Sequence, residues 1–124
     1  MLLALHHVQL AMPKGQEAAA RAFYSGVLGL TEVAKPPALQ ARGGAWFESA
    51  LLRVHLGVET PFAPARKAHP AFQVASLAAT MAALDAAGIA WRRDIDLPGL
   101  NRIYVDDPFG NRIELLELYS GSQA

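Results

Sequence analysis

Alternating apolar and polar positions predict short strands along this chain, and apolar positions at helical spacing predict helices between them. The first strand is expected at residues 5–12, LHHVQLAM. A helix is expected over residues 15–30, GQEAAARAFYSGVLGL, with Gly29 as its stop signal. Two further strand-like runs, AWFESA and LRVHLGV, follow a loop from Lys35 to Gly44 that is either a lid or a long connection.

The same order of elements returns from residue 69. HPAFQVA reads as a strand and SLAATMAALDAAG as a helix, with Ser76 as N-cap and Gly88 as stop. IAWRR, NRIYVDD and NRIELLEL follow, and the turn DDPFGN makes a hairpin of the last two. Asp106 and Asp107 therefore read as turn residues rather than an acid pair. Each half predicts strand, helix, strand, strand, strand, which is an internal repeat.

Overlaying the two halves pairs residues of possible chemical importance. His7 and His69 both open the first strand of a module, and RVHL at 53–56 matches RIEL at 112–115, so His55 pairs with Glu114. The modules are expected at about 1–60 and 67–120, joined by a proline-rich stretch. With 124 residues, of which 52% are hydrophobic, we expect a single α+β domain over residues 1–124.

Composition narrows the choice of partners. The formal net charge is zero and the basic residues are scattered, so neither nucleic acid nor an anionic membrane is an expected partner. Cysteine is absent, so any metal must bind His, Asp or Glu. No signal peptide or apolar run of membrane-spanning length is evident, and a cytoplasmic protein with a small-molecule ligand is the expectation.

Strand alternation then assigns the histidines to faces. In each module one helix must cover the Val/Leu/Phe face of the sheet, which leaves the opposite parity on a more polar surface. His7, His55 and His69 fall on that polar parity, whereas His6 does not. Alternation is ambiguous in the last strand, so the repeat alone assigns Glu114 to this surface.

Three imidazoles and a carboxylate on one surface suit a divalent transition metal such as Fe, Mn, Co, Ni or Zn. Such a metal, with open coordination positions, binds two neighbouring substrate oxygens and stabilises an enolate or alkoxide. We take His7, His69 and Glu114 as the principal candidate ligands and His55 as a further one. Other side chains are candidate substrate contacts: Arg102, Tyr104, Trp46 and Phe47, with Arg53 and Arg112 either meeting an anionic group or lying solvated or ion-paired.

A family likeness rests on LHHVQLAM, RAFYSGVLGL, KAHPAFQV and YVDDPFGNRIELLE, which cover nearly the whole chain in order. These segments resemble the vicinal oxygen chelate superfamily of glyoxalase I, fosfomycin-resistance thiol transferases, extradiol dioxygenases, methylmalonyl-CoA epimerase and bleomycin-binding proteins. The resemblance implies two tandem βαβββ modules that form a curved, cup-like mixed eight-stranded sheet with helices on the outer face, often completed in a homodimer.

The resemblance also implies roles for single residues. His7, His69 and Glu114 match the family's metal-binding positions, and Glu114 is also expected to have a catalytic role. Glyoxalase I carries a glutamate where this chain has His55, so His55 is expected either as a fourth ligand or as a catalytic acid–base group.

Two functions follow as alternatives. One is a metal-dependent enzyme of lyase, isomerase, thiol transferase or dioxygenase type that acts on a small substrate with adjacent oxygens. The other is a metal-free protein that sequesters a hydrophobic small molecule, as bleomycin-binding relatives do, with Trp46, Phe47 and Tyr104 lining a groove. Metal-free members share the fold, so the fold alone cannot choose between them.

Overall fold

The computed structural model describes residues 1–119 and has an α+β architecture of eight strands, three α-helices and one π-helical segment. The chain divides into two compact units, Met1–Ala65 and a second that begins at Arg66. None of the helices in the described residues combines the length and apolarity that crossing a membrane requires. The elements in order are β1 (Val8–Met12), α1 (Glu17–Arg21), the π-helical segment (Ala22–Val27), β2 (Thr31–Val33), α2 (Pro37–Gln40), β3 (Ala45–Ser49), β4 (Leu52–Val58), β5 (Ala71–Gln73), α3 (Leu77–Ala86), β6 (Trp91–Arg92), β7 (Leu100–Asp106) and β8 (Arg112–Leu118).

The eight strands form two four-stranded mixed sheets, each hydrogen-bonded within its own unit rather than joined in one ladder. The orders β1-β4-β3-β2 and β5-β8-β7-β6 are the same order written twice, each with one parallel pair at the edge. Gln9, His55, Trp46 and Val33 lie opposite one another across the first sheet. Ala71, Glu114, Tyr104 and Arg92 form the same row in the second sheet. The predicted repeat is confirmed, with His55 and Glu114 at equivalent positions.

In the first unit the helical residues cover the Val/Leu/Phe face, as alternation predicts. α1 packs against β3, and the ring of Tyr24 stacks on Phe47 with 5.5 Å between centroids. The core strands contribute buried residues of one parity: Leu10, Met12, Ala45, Phe47, Val54 and Leu56. In the second unit α3 packs against β8, and the buried apolar residues include Phe72, Leu77, Leu84, Ile103, Val105, Ile113 and Leu115.

The helix ends follow the sequence signals. Ser76 caps α3 by accepting a hydrogen bond at Oγ from the Ala79 backbone N–H at 3.1 Å. Gly29 and Gly88 lie just beyond their helices with φ of +79° and +71°, the left-handed conformation that ends many helices at glycine. The predicted turn after β7 is also present, with Asp107 accepting hydrogen bonds from the backbone N–H groups of Phe109 and Asn111.

Three details differ from the pattern-based expectation. The helix predicted over 15–30 is a short α-helix continued by a π-helical segment, in which the adjacent residues Phe23 and Tyr24 are both buried. β2 lies at Thr31–Val33, a segment for which the pattern predicts no strand, and α2 lies within the predicted loop. β6 is only two residues long, Trp91–Arg92, and so is shorter than the predicted run IAWRR.

Candidate functional site

Three rings form a stack on the first sheet. The ring of His55 lies 3.9 Å from the ring of Trp46 at an interplanar angle of 4° and 4.3 Å from that of His7 at 20°. The strand register explains the first contact, since Trp46 and His55 are directly opposite on β3 and β4. His7 directly precedes β1, so its ring reaches the same surface.

His55 is buried in the middle of this stack. Burial lowers the pKa of its imidazole, and the nearby His7 lowers that pKa further. His55 is therefore expected to be neutral at pH 7, which suits a ring that is covered on both faces.

His6 and His7 meet through their Nδ1 atoms, which are 3.0 Å apart in an edge-on arrangement of the rings. One of the two must carry the hydrogen between them. When His7 donates it, the Nε2 atom of His7 holds the lone pair, which is the tautomer that a metal ligand needs. Both histidines are exposed.

The second unit brings two candidate ligands together. His69 Nε2 lies 2.9 Å from Oε1 of Glu114, and His69 Nδ1 lies 2.9 Å from the carbonyl oxygen of Lys67. Glu114 occupies the middle of β8, where it is buried, and the hydrogen bond from its backbone N–H to the Pro70 carbonyl ties β8 to the segment that carries His69.

The two contacts of His69 determine what can lie between it and Glu114. A carbonyl oxygen only accepts, so Nδ1 of His69 carries a hydrogen. In the neutral ring Nε2 then directs its lone pair at a carboxylate oxygen that also has only lone pairs to offer. Two such atoms 2.9 Å apart require a shared proton or a metal ion between them. Two atoms bound to one cation at about 2.1 Å and at right angles lie about 3 Å apart, so this spacing fits a metal. A ligating histidine typically donates its other N–H to a carbonyl, as His69 does.

Charged side chains of the second unit surround the His69–Glu114 pair. Arg102 donates from Nη1 to the hydroxyl of Tyr104 at 3.0 Å and lies 3.7 Å from Oε2 of Glu114. The rings of His69 and Tyr104 meet edge to face with 5.3 Å between centroids. Asp94 lies 3.5 Å from Arg102. The backbone N–H of Ile95 first, and then the Arg102 charge, lower the pKa of Asp94.

The predicted ligands are thus divided between the units. His7 and His55 lie together in the first unit, and His69 and Glu114 lie together in the second. Within residues 1–119, no group of three or more histidine, aspartate or glutamate side chains is close enough to hold one metal ion. Each unit by itself therefore supplies two of the four predicted donors.

One predicted substrate contact is poorly placed. Phe47 is fully buried and stacks on Tyr24 beneath the helical residues, on the face of the sheet opposite Trp46. The prediction grouped neighbours in sequence, whereas adjacent strand residues point to opposite faces, so Phe47 serves the core. Arg92 and Asp94 were not predicted at the site. Arg92 lies opposite Tyr104 on β6, a placement that the spacing of apolar and polar residues does not indicate.

Comparison with known proteins identifies the family of this chain. The sequence model of the Glyoxalase/Bleomycin resistance protein/Dioxygenase superfamily matches residues 4–115. A structure assigned to the glyoxalase family from Bacillus anthracis is 44% identical, with 96% of this chain and 98% of that chain covered and a TM-score of 0.92. Comparison with curated proteins gave no match.

Two more distant structures, an enzyme and a binding protein, are also similar to this chain. Lactoylglutathione lyase from Agrobacterium tumefaciens is 25% identical, with 92% of each chain covered and a TM-score of 0.69. TnmS3, an antibiotic binding protein from Streptomyces sp. CB03234, is 20% identical, with 96% of this chain and 100% of that chain covered and a TM-score of 0.73, a likeness of fold alone. The duplicated strand order, the match over residues 4–115 and the 44% identity lead to one conclusion: the chain belongs to the Glyoxalase/Bleomycin resistance protein/Dioxygenase superfamily.

Proposed function

We propose that this protein is a divalent-metal-dependent enzyme that acts on a small substrate with two adjacent oxygens. The observation that carries the proposal is the meeting of His69 Nε2 and Glu114 Oε1 at 2.9 Å, with His69 Nδ1 engaged by the Lys67 carbonyl. This arrangement provides a neutral nitrogen and an anionic oxygen, the donor types that Fe, Mn, Co, Ni and Zn accept.

We propose His7 as the third ligand. His7 occupies the position in the first module that His69 occupies in the second, and it is exposed. Its Nδ1 contacts Nδ1 of His6, which leaves Nε2 for a metal. His7 comes from the first unit of the same chain or of a second copy in a homodimer. His55 is proposed to act by stacking, because it covers one face of the His7 ring and is itself covered by Trp46.

The metal, when bound, supplies a Lewis acid that polarises the two substrate oxygens. His69 and Glu114 hold their positions through the Lys67 carbonyl and the backbone of β8. Arg102 Nη1 lies 3.7 Å from Oε2 of Glu114, so the arginine charge attracts the carboxylate and orients it. Arg102, Tyr104 and Trp46 are the proposed substrate contacts, and Phe47 is left out because it is buried in the core.

Metal content after purification without an affinity tag tests the proposal. The wild type is expected to bind one Zn²⁺ or Co²⁺ per site, whereas His7→Ala, His69→Ala and Glu114→Gln are expected to lose stoichiometric metal. His6→Ala keeps every proposed ligand but removes the partner of His7 Nδ1, so it should weaken metal binding by about 10–100-fold and still take up one equivalent of metal at saturation. Failure of the wild type to bind metal at one equivalent under any loading condition would overturn the proposal.

The chain origin of the site has its own test. His7→Ala and Glu114→Gln are purified separately, mixed and allowed to exchange subunits. A site built across a dimer regains metal in the mixture, because one of its two sites then has all three ligands. A site built within one chain regains none. Light scattering of the wild type gives the subunit number that this comparison requires.

A metal-free binding protein is the second candidate, and the flat stack of Trp46 and His55 favours it. The two rings are nearly parallel with 3.9 Å between their centroids, and the half-buried Trp46 offers a flat surface on which an aromatic ligand would stack. This function predicts that ligands quench Trp46 fluorescence equally with and without EDTA, and that Trp46→Leu abolishes the quenching. The metal-dependent enzyme predicts instead that EDTA removes substrate binding.

A further inference from the structure

Three guanidinium groups converge on one ring of the second sheet. The guanidinium carbons of Arg112, Arg102 and Arg92 lie 5.1, 5.5 and 5.8 Å from the centroid of Tyr104. The register brings them there: Arg92 is opposite Tyr104 on β6, Arg102 is two residues before it on β7, and Arg112 is two residues before Glu114 on β8. Residues two apart on a strand share a face, so all three surround the Tyr104–Glu114 pair.

Carboxylates offset this positive charge unevenly. Arg92 is paired with Asp106 at 3.1 Å, and Arg102 has Asp94 at 3.5 Å and Glu114 at 3.7 Å. Arg112 has no carboxylate within 4.0 Å among the residues that the structure describes. If Glu114 binds a metal ion, its charge is directed to that ion and the face becomes more positive still.

Two buried donors on this face have no acceptor. The Nε–H groups of Arg102 and Arg112 are shielded from solvent and make no hydrogen bond within the described chain. A buried N–H on a charged group is costly when it is left unpaired, and such groups in native proteins call for an explanation. Arg102 is held in place at its other nitrogens, where Nη1 donates to the Tyr104 hydroxyl at 3.0 Å and Nη2 to the Ile95 carbonyl at 3.3 Å. Its free donor is therefore fixed in direction before any ligand arrives.

We infer that Arg102 and Arg112 form an oxyanion site that binds a carboxylate or phosphoryl group of the substrate beside Glu114. The side edge of a guanidinium, Nε–H together with one Nη–H, matches the two oxygens of such a group, and arginine stays charged at any relevant pH. The inference rests on the proposed function to this extent: the metal would take the adjacent oxygens of the substrate, and this site would take its anionic group. The substrate class is thus a small oxyanion whose charged group neighbours the reacting oxygens.

Calorimetric titration of inorganic phosphate and of malonate tests the inference, first with EDTA-treated protein and then with metal-loaded protein. The wild type is expected to bind at least one of the two anions saturably at one per chain, and sodium chloride at equal ionic strength should not substitute. Arg112→Met and Arg102→Met should each weaken binding by about tenfold or more, as expected for loss of a charge-assisted hydrogen bond. Arg112→Lys, which keeps the charge but loses the planar edge, should recover only part of the affinity.

Arg93→Met is the matched control, because Arg93 lies next to Arg92 but its guanidinium is directed to Trp91, at 5.8 Å from the ring centroid. It should leave anion affinity within about twofold, as expected for a distant exposed charge under screening. Thermal unfolding of each variant verifies that it is folded. Stronger binding of phosphate identifies a phosphoryl substrate, and stronger binding of malonate a carboxylate.

The result that would overturn the inference is no saturable binding of either anion by the folded wild type, or an equal loss in Arg93→Met and Arg112→Met. The two proposals fail separately. Anion binding in EDTA-treated protein that never takes up metal would remove the proposed function and keep the oxyanion site. Stoichiometric metal without arginine-dependent anion binding would do the reverse.

Discussion

The imidazole of His69 and the carboxylate of Glu114 are 45 residues apart in sequence and in direct contact at 2.9 Å. The contact is largely shielded, with 23% and 10% of the two side chains exposed. A hydrogen bond of this kind to a charged group is stronger than one between neutral groups, and its energy survives better where water is excluded.

A double-mutant cycle in metal-free protein should measure that contact. We expect His69→Ala, Glu114→Ala and the double variant to give a coupling of about 1 kcal/mol in the free energy of unfolding by urea, with EDTA present. Arg92 and Asp106 form the reference pair, since their N–O distance is a similar 3.1 Å but 45% and 51% of the side chains are exposed. That pair should couple by less than about 0.5 kcal/mol. Equal coupling energies in the two cycles would contradict the expectation that burial strengthens the His69–Glu114 contact.

Substitutions of His55 distinguish a stacking role from a role as metal ligand. If it acts by covering the ring of His7, His55→Phe keeps a flat ring between His7 and Trp46 and should keep stoichiometric metal, whereas His55→Ala should weaken metal binding by about tenfold through a loosened His7. Competition with a coloured zinc chelator measures both affinities. A loss in His55→Phe as large as that in His7→Ala would make His55 a ligand instead.

Trp46 and Phe47 are adjacent in sequence, but Phe47 packs in the core and Trp46 lies on the opposite face of the sheet. Phe47→Ala should lower the free energy of unfolding by about 3–5 kcal/mol, because it opens a cavity beneath Tyr24. Trp46→Ala should cost clearly less, since its ring is only half-buried, but should reduce ligand binding. Urea unfolding with tyrosine detection compares the two. A larger stability loss in Trp46→Ala would show that the two faces have been exchanged.

The ion pair between Arg21 and Glu32 ties α1 to β2 and should make stability depend on pH. Arg21 Nη2 donates to Glu32 Oε2 at 3.0 Å, and this hydrogen bond, with the arginine charge, holds the pKa of Glu32 below its usual 4.5. The carboxylate therefore stabilises the fold above pH 4.5, and this contribution is lost as pH falls through the lowered value. Because the pair is exposed, Glu32→Gln should cost only about 0.5 kcal/mol at pH 7. The difference from wild type should shrink as pH falls through the lowered pKa of Glu32, and a difference that is constant with pH would contradict the pairing.

Gly44 has no room for a side chain. Its φ is +85°, and a Cβ atom there would overlap the backbone carbonyl oxygen of Leu56 on β4. Gly88 has a similar φ of +71° but open space around it. Gly88→Ala should cost about 1–2 kcal/mol for backbone strain alone, whereas Gly44→Ala should cost clearly more or prevent folding. Thermal unfolding of the two variants compares them, and equal midpoints would show that the strand edge adapts.

Features that depend on local sequence pattern could be predicted. Strand alternation and the internal repeat placed His55 and Glu114 at equivalent positions, and the register confirms it through the pairs Gln9–His55 and Ala71–Glu114. Ser76 and the two helix-ending glycines followed from their local chemistry in the same way.

Other features depend on information that periodicity does not carry. The position of Arg92 opposite Tyr104 depends on how the intervening loop returns to the sheet, which its length and composition do not define. The stacking of three rings depends on side-chain rotamers across two strand pairs. The π-helical widening at Ala22–Val27 has no signal in the spacing of apolar residues.

Every strand ladder in residues 1–119 closes within its own half of the chain. The two halves therefore have the same strand order and differ in the side chains that they carry. One copy now holds aromatic rings at Trp46 and His55, and the other holds a phenol and an acid at the matching places, Tyr104 and Glu114. An insertion between the halves would break no ladder, so the joining segment is where this protein should best tolerate added length.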